Sequence, residues 1–217
     1  MKVSVIGLGY IGLPTAAILA SKGINVVGVD INEKVVDSIN KGEFHLAEPG
    51  LKELVKRSIN AGKFRATAVP EKANIFIISV PTPLIGDKKP DLSYIHSVCK
   101  SIAPLLEKDN VIILESTSPV GTSEQMLKWL KIERPDLLLP KINTEKEADI
   151  ALAYCPERVL PGNVLKELIK NDRIIGGVTS ICATKAKNVY ENFVEANFLI
   201  TDCRTAELTK LVENSFR

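Results

Sequence analysis

"VSVIGLGYIGLPTAAILASKGINVVGVD", residues 3–30, decides the fold. It opens on a short apolar run rich in β-branched residues that stops at Gly7. A helical stretch over residues 10–23 follows, ended by Gly23, and then a second short run, residues 25–30, closing on Asp30. Continuous apolar runs of this length, without alternation, are the mark of strands buried on both faces. Pro14 fits the helix because it lies in the first turn, where its missing N–H costs no hydrogen bond. Strand, glycine-rich turn, helix and strand within about 30 residues make one βαβ unit.

The alternation continues along the chain. Helices are expected over residues 32–42, 48–62, 93–106 and 123–133, and strands over 64–67, 74–80, 110–116, 150–154, 173–178 and 197–201. A helix between Thr184 and Phe193 separates the last two strands, and residues 140–149 read as an exposed polar loop. Strands alternating with helices predict an α/β fold: a doubly wound, mostly parallel sheet of the Rossmann type.

With 217 residues the chain can hold one large domain, or one domain and a piece of another. A net charge of +2 gives no field suited to nucleic acid or to a membrane surface. No apolar run approaches the roughly 18 residues of a membrane span. The N-terminus lacks the pattern of a secretion signal. Cys99, Cys155, Cys182 and Cys203 are scattered without a CxxC pair, which suits free thiols in a reducing compartment. The expectation is a cytoplasmic protein without a metal site. His45 and His96 are isolated and receive no role.

Gly7-Leu8-Gly9-Tyr10-Ile11-Gly12 is a GxGxxG turn with a strand before it and a helix after it. In that setting Gly7 makes the tight turn, Gly9 leaves room for a pyrophosphate, and Gly12 lets helix and strand pack closely. The helix N-terminus, with Tyr10 and Ile11 in the turn before it, offers free N–H groups to phosphate. Asp30 can accept hydrogen bonds from an adenosine ribose and would repel a 2′-phosphate, so NAD is favoured over NADP.

Three further stretches follow strands, where ligands of doubly wound sheets bind. "SVPTPLIGD", residues 79–87, places Val80 and Thr82 near the expected cofactor path, or is a rigid surface turn. "ESTSPVGT", residues 115–122, offers Ser116 and Thr117 either to a nicotinamide or as caps of the next helix. "YCPERVLPG", residues 154–162, carries Glu157 as a possible base; spacing alone favours a plain Glu157–Arg158 pair in a turn. Cys155 has no nearby histidine or helix start to lower its pKa and reads as a small buried residue. The last stretch, "AELTKLVENSFR", residues 206–217, is an amphipathic helix. Leu208, Leu211 and Val212 share one stripe, expected to dock on the domain, and Glu207, Lys210 and Asn214 share another.

Taken together, "GLGYIGLPTA", "GVDIN", "VPTP", "ILESTSPVGT", "AYCPERVLPG", "ELIKNDRIIGG" and "RTAELTKLVENSFR" closely resemble the UDP-glucose/GDP-mannose dehydrogenase family over essentially the whole chain. The resemblance implies two successive NAD-dependent oxidations at C6 of a UDP-sugar. A cysteine would hold the aldehyde as a thiohemiacetal, and water would hydrolyse a later thioester. It gives Lys210 and Asn214 the oxyanion, and Glu157 and Thr117 proton transfer or the placing of water. Pro161 stands where the glucose and mannose members usually carry a second Glu, so that residue's role has no carrier here. The family's catalytic cysteine sits in a "GGHC"-like motif that does not occur in these residues. Residues 1–203 are therefore expected to be the NAD-binding domain and residues 204–217 the start of a connecting helix. The dimerising middle segment and the UDP-sugar domain would lie outside this chain, the full-length protein would be a homodimer, and the chain alone would be inactive. The alternatives are a UDP-glucose 6-dehydrogenase or another UDP-sugar dehydrogenase, or a non-catalytic NAD-binding module.

Overall fold

The structure is a computed structural model that describes every residue except His45, Asp87, Asn143, Glu145 and Arg217. The reading of His45, the last residue of the 79–87 loop, two positions of the 140–149 loop and the final residue of the chain thus lie outside the described residues.

The first βαβ unit forms where expected, with β1 (Lys2–Ile6), α1 (Gly12–Ser21) and β2 (Asn25–Val29). α2 (Glu33–Lys41) is capped by the Asn32 side chain, which accepts from the Lys34 amide at 3.1 Å, and ended by Gly42 at φ 69°. α3 (Leu51–Asn60), β3 (Phe64–Thr67), β4 (Ile75–Ile78), α4 (Ser93–Ile102), β7 (Val111–Leu114), α5 (Thr122–Glu133) and β8 (Ala151–Tyr154) follow. The small hairpin β5 (Leu84–Ile85) and β6 (Lys89–Pro90) rises from the loop after β4. The chain continues through α6 (Val164–Lys170), β9 (Arg173–Gly177), α7 (Ser180–Tyr190), β10 (Phe198–Asp202) and α8 (Cys203–Ser215).

The main sheet has the order β10-β9-β8-β7-β4-β1-β2-β3. From β3 to β8 all pairs are parallel, and their buried apolar strands form the core between two helical layers. The chain winds outward in one direction from β1 through β3 and then in the other from β4, so a crevice opens between the ends of β1 and β4. β9 departs from this pattern. It pairs with β8 antiparallel, in the register Ala153↔Gly177 and Tyr154↔Gly176. The first residue of β9 therefore lies at the sheet end where β8, and the strands parallel to β8, place their last.

Three helices differ from the sequence expectation. α4 stops at Ile102, and Ala103–Leu105 tighten into a 3-10 turn around Pro104. α6 is only seven residues long, too short for its periodicity to stand out, and was not expected. α7 begins at Ser180, ahead of Thr184, because the Thr179 hydroxyl accepts from the Cys182 amide and opens the helix earlier.

Candidate functional site

A cleft of about 280 Å³ lies at the ends of β4, β7 and β8, beside the start of α1. Ile11, Val80, Thr82, Ser116, Thr117, Glu157 and Lys210 all line it, together with Ser79, Pro81, Glu115 and Val159, which sequence reasoning did not select.

The glycine turn beside it is built by backbone contact. Gly7 has φ +93°, and a Cβ there would sit 2.5 Å from the Ser79 carbonyl oxygen. A Cβ on Gly12 would lie 1.8 Å from the Gly7 oxygen, so helix and strand approach too closely for any other residue. Gly9 is different in kind: a Cβ there meets no heavy atom within 4 Å. Its lack of a side chain answers no need inside the protein and leaves open the face that a phosphate would approach. Asp30 stands beside this turn. One carboxylate oxygen accepts from the Leu8 amide at 3.1 Å and the other from the Asn32 amide at 3.0 Å, which fixes its orientation while leaving further lone pairs. The residues thus fit a dinucleotide: a cradle without side chains, a helix start and an oriented carboxylate.

The Tyr10 side chain reaches Glu48. Its hydroxyl lies 3.5 Å from Glu48, whose same oxygen accepts from the Gly162 amide at 3.0 Å. Burial and then Glu48 raise the Tyr10 pKa, with the Gly162 backbone opposing. Buried Glu48 joins the glycine turn to the loop that carries Glu157.

Two of the hydroxyls expected to face the cofactor already donate within the protein. Thr82 donates to the Thr117 carbonyl at 2.5 Å, and Ser116 to the Val80 carbonyl at 2.7 Å. These bonds lock the ends of β4 and β7 together and leave acceptor capacity toward the cleft. Neither Ser116 nor Thr117 caps α5; Gly121 precedes that helix and offers no side chain. The cap comes from α8. Glu207, fully buried, accepts from the Gly121 amide at 2.6 Å, the Ser123 amide at 2.8 Å and the Ser123 hydroxyl at 2.7 Å.

That anchor corrects the expected docking of the terminal helix. Leu208, Leu211 and Val212 face outward, while Cys203, Ala206, Glu207 and Lys210 are buried. The polar stripe docks because the start of α5 presents unpaired N–H groups that an apolar stripe could not satisfy. One turn beyond Glu207, Lys210 Nζ donates to the Glu157 carbonyl at 2.6 Å. Asn214, a further turn along, is exposed and is not among the cleft-lining residues.

Glu157 and Arg158 do not form the simple pair that spacing suggests. The Arg158 guanidinium pairs with Glu213 on α8 at 3.2 Å. Glu157 accepts from the Arg158 backbone amide at 2.7 Å with one oxygen and meets Arg173 at 2.8 Å with the other. Arg173 was missed because the sequence shows it as an ordinary start to "RIIGGV"; only the antiparallel course of β9 brings it here. Glu115, also missed, accepts from the Ser79 and Tyr190 hydroxyls, each at 2.7 Å. Burial raises its pKa, while Arg173 pulls the other way. Its place directly after the apolar run of β7 was the available signal. The remaining expectations hold simple places: Cys155 is buried, and burial pushes its thiol up to about 12, while His96 stacks on Trp129 at 4.6 Å. Among the described residues no helix is long and apolar enough to cross a membrane, and no cluster of His, Cys, Asp or Glu could hold a metal.

Sheet order, glycine cradle and oriented Asp30 define a Rossmann-type dinucleotide-binding domain. Residues 1–194 match the family model described as "UDP-glucose/GDP-mannose dehydrogenase family, NAD binding domain", and the chain belongs to that family. It is 58% identical over 217 residues to a UDP-N-acetyl-D-mannosamine dehydrogenase of Campylobacter jejuni, covering 100% of this chain and 53% of that protein. To an NDP-N-acetyl-D-galactosaminuronic acid dehydrogenase of Ralstonia nicotianae it is 54% identical over 215 residues, 99% of this chain and 51% of that one. Among solved structures, a UDP-D-ManNAc dehydrogenase of Pyrococcus horikoshii superposes with a TM-score of 0.92 at 41% identity, over 100% of this chain and 50% of that chain. The chain spans about half the length of the curated relatives it matches.

Proposed function

We propose that this chain is the cofactor half of a nucleotide-sugar 6-dehydrogenase that oxidises UDP-N-acetyl-D-mannosamine to the uronate in two NAD-dependent steps. The observation that carries this reading is the arrival of Lys210 at the cleft, next to Glu157, on a helix held by a buried carboxylate. A module that only bound dinucleotide would have no use for a lysine there. NAD, when bound, supplies the hydride acceptor. Gly7, Gly9, Tyr10, Ile11 and Gly12 form its cradle, Asp30 takes the ribose, and Val80, Thr82, Ser116 and Thr117 border the nicotinamide end.

In this account the Lys210 ammonium stabilises negative charge developing on the oxygen at C6, in a cleft whose burial strengthens the interaction. Glu157, with Thr117, moves the proton or places the hydrolytic water. Asn214 becomes enclosed only in the complete protein. The nucleophilic thiol is supplied by the part of the enzyme beyond this chain, since burial raises Cys99, Cys155 and Cys203 to about 12. We further propose a cytoplasmic homodimer for the complete protein. The Ralstonia relative's name keeps a second hexosamine sugar as the alternative substrate.

The test is to supply the full-length protein with NAD and UDP-N-acetyl-D-mannosamine, UDP-N-acetyl-D-galactosamine or UDP-glucose. The expected result is two NADH formed per N-acetylmannosamine sugar and slower turnover of the others. Absence of NADH with every nucleotide sugar would refute the reading.

A further inference from the structure

We infer that Arg173 is a positioning residue that fixes the Glu157 carboxylate at the cleft, an inference that rests on the catalytic reading of Glu157. β9 runs antiparallel to β8, and continuing its register outward from Tyr154↔Gly176 brings Arg173 opposite Glu157. The guanidinium, 3% exposed as a residue, meets the Glu157 carboxylate at 2.8 Å. It donates to the Leu168 carbonyl at 3.2 Å and lies 3.8 Å from the Cys155 sulfur. It also rests on the Tyr190 ring at 4.5 Å and near the Phe193 ring at 5.5 Å. Tyr190 then bonds Glu115, and Glu115 bonds Ser79, which lines the cleft again. The result is a closed chain of contacts behind the cleft wall.

Burying a cation and a carboxylate together gains little stability over well-packed apolar side chains, so stability alone does not account for the pair. What the arrangement supplies is placement. Glu157 sits in a loop after β8, without a helix or strand of its own to orient it. Its two oxygens instead meet separate partners: one accepts from the Arg158 amide, and the other lies in an ion pair with the Arg173 guanidinium. Arg173 in turn is clamped between aromatic rings and a carbonyl. Burial opposes its charge, but Glu157, Cys155, Tyr190 and Glu115 keep its pKa above the usual arginine value, so the clamp stays cationic.

The experiment uses the full-length protein and three variants. Displacing a reacting group by about 1 Å can cost about 100-fold in rate, so Arg173→Met is expected to lower kcat by that order. The KM for NAD should stay within about twofold, because Arg173 does not reach the cradle. Arg173→Lys, a shorter cation, should restore part of kcat. In a Glu157→Gln background, which also removes the unpaired charge, Arg173→Met should cost nothing further. A second full loss on top of Glu157→Gln, or an effect confined to the KM for NAD, overturns the inference. A crystal structure of the 217-residue Arg173→Lys and Arg173→Met chains decides the placement apart from turnover. A displaced Glu157 carboxylate supports it, and an unmoved one overturns it. Lack of activity in the wild type would refute the proposed function and leave this structural comparison in force.

Discussion

Glu207 caps a helix to which it does not belong: its carboxylate bonds both the amide and the hydroxyl of Ser123, at 2.8 and 2.7 Å, at the start of α5. The negative charge meets the positive end of the helix dipole and satisfies orphan N–H groups. Because Lys210 follows one turn later on α8, the same contact sets where its ammonium arrives. Removing the carboxylate leaves buried donors unpaired. Glu207→Ala should therefore destabilise the chain by about 3 kcal/mol in urea unfolding. A loss below about 1 kcal/mol, the net value of one ordinary hydrogen bond, would show that α8 is held by other contacts.

Gly9 and Gly12 should separate folding from binding. Gly12→Ala drives a methyl into the Gly7 carbonyl and should lower thermal stability and NAD affinity together. Gly9→Ala meets open space, so its melting temperature should match the wild type while NAD affinity falls at least about tenfold. Calorimetry and a melting curve on each variant suffice. Unchanged NAD affinity in Gly9→Ala would move the phosphates away from the turn.

Glu115 should make stability depend on pH with a definite sign. Burial raises its pKa above the ordinary 4.5, so the folded chain holds a proton that the unfolded chain gives up. The contribution is fully present below 4.5 and is lost as pH rises through the folded value. Glu115→Gln removes this loss. The stability of the variant relative to the wild type should rise as the pH increases above 4.5. A constant difference across that range would contradict the buried, raised carboxyl.

Hydrogen exchange should divide α8. Amides near Ala206, Glu207 and Lys210 should be protected, and those beyond Lys210 should exchange quickly, because Leu211, Val212 and Phe216 are exposed. Leu208→Lys, on the outward stripe, should change stability by no more than about 0.5 kcal/mol. A larger loss would return the apolar stripe to the interior.

The fold was readable where the chain's local signals agree. The turn at residues 7–12, the buried runs of β1, β4 and β7, and the Asn32 and Gly42 ends of α2 each announce themselves within a few residues. The cleft-lining places of Thr82, Ser116 and Thr117 follow from strand ends, whereas Glu157 and Lys210 come from the family resemblance, since spacing alone favours a plain ion pair and a solvated lysine. What escaped depends on partners distant in sequence. Glu207 meets Ser123 and Gly121 across more than 80 residues, and it reverses the face on which α8 docks. Arg173 becomes a partner of Glu157 only through the antiparallel pairing of β9, and no local pattern in "RIIGGV" gives a strand's direction. Amphipathic reasoning failed on α8 because it assumes that the buried face is apolar, whereas the surface it meets is a helix end in need of an acceptor.

The most direct test of the account is a calorimetric titration of the 217-residue chain with NAD and, separately, with NADP. The cradle and Asp30 predict one NAD bound per chain, NADP bound more weakly, and a preference that narrows in Asp30→Ala. NADP bound as tightly as NAD by the wild type, or no binding of either, would contradict it.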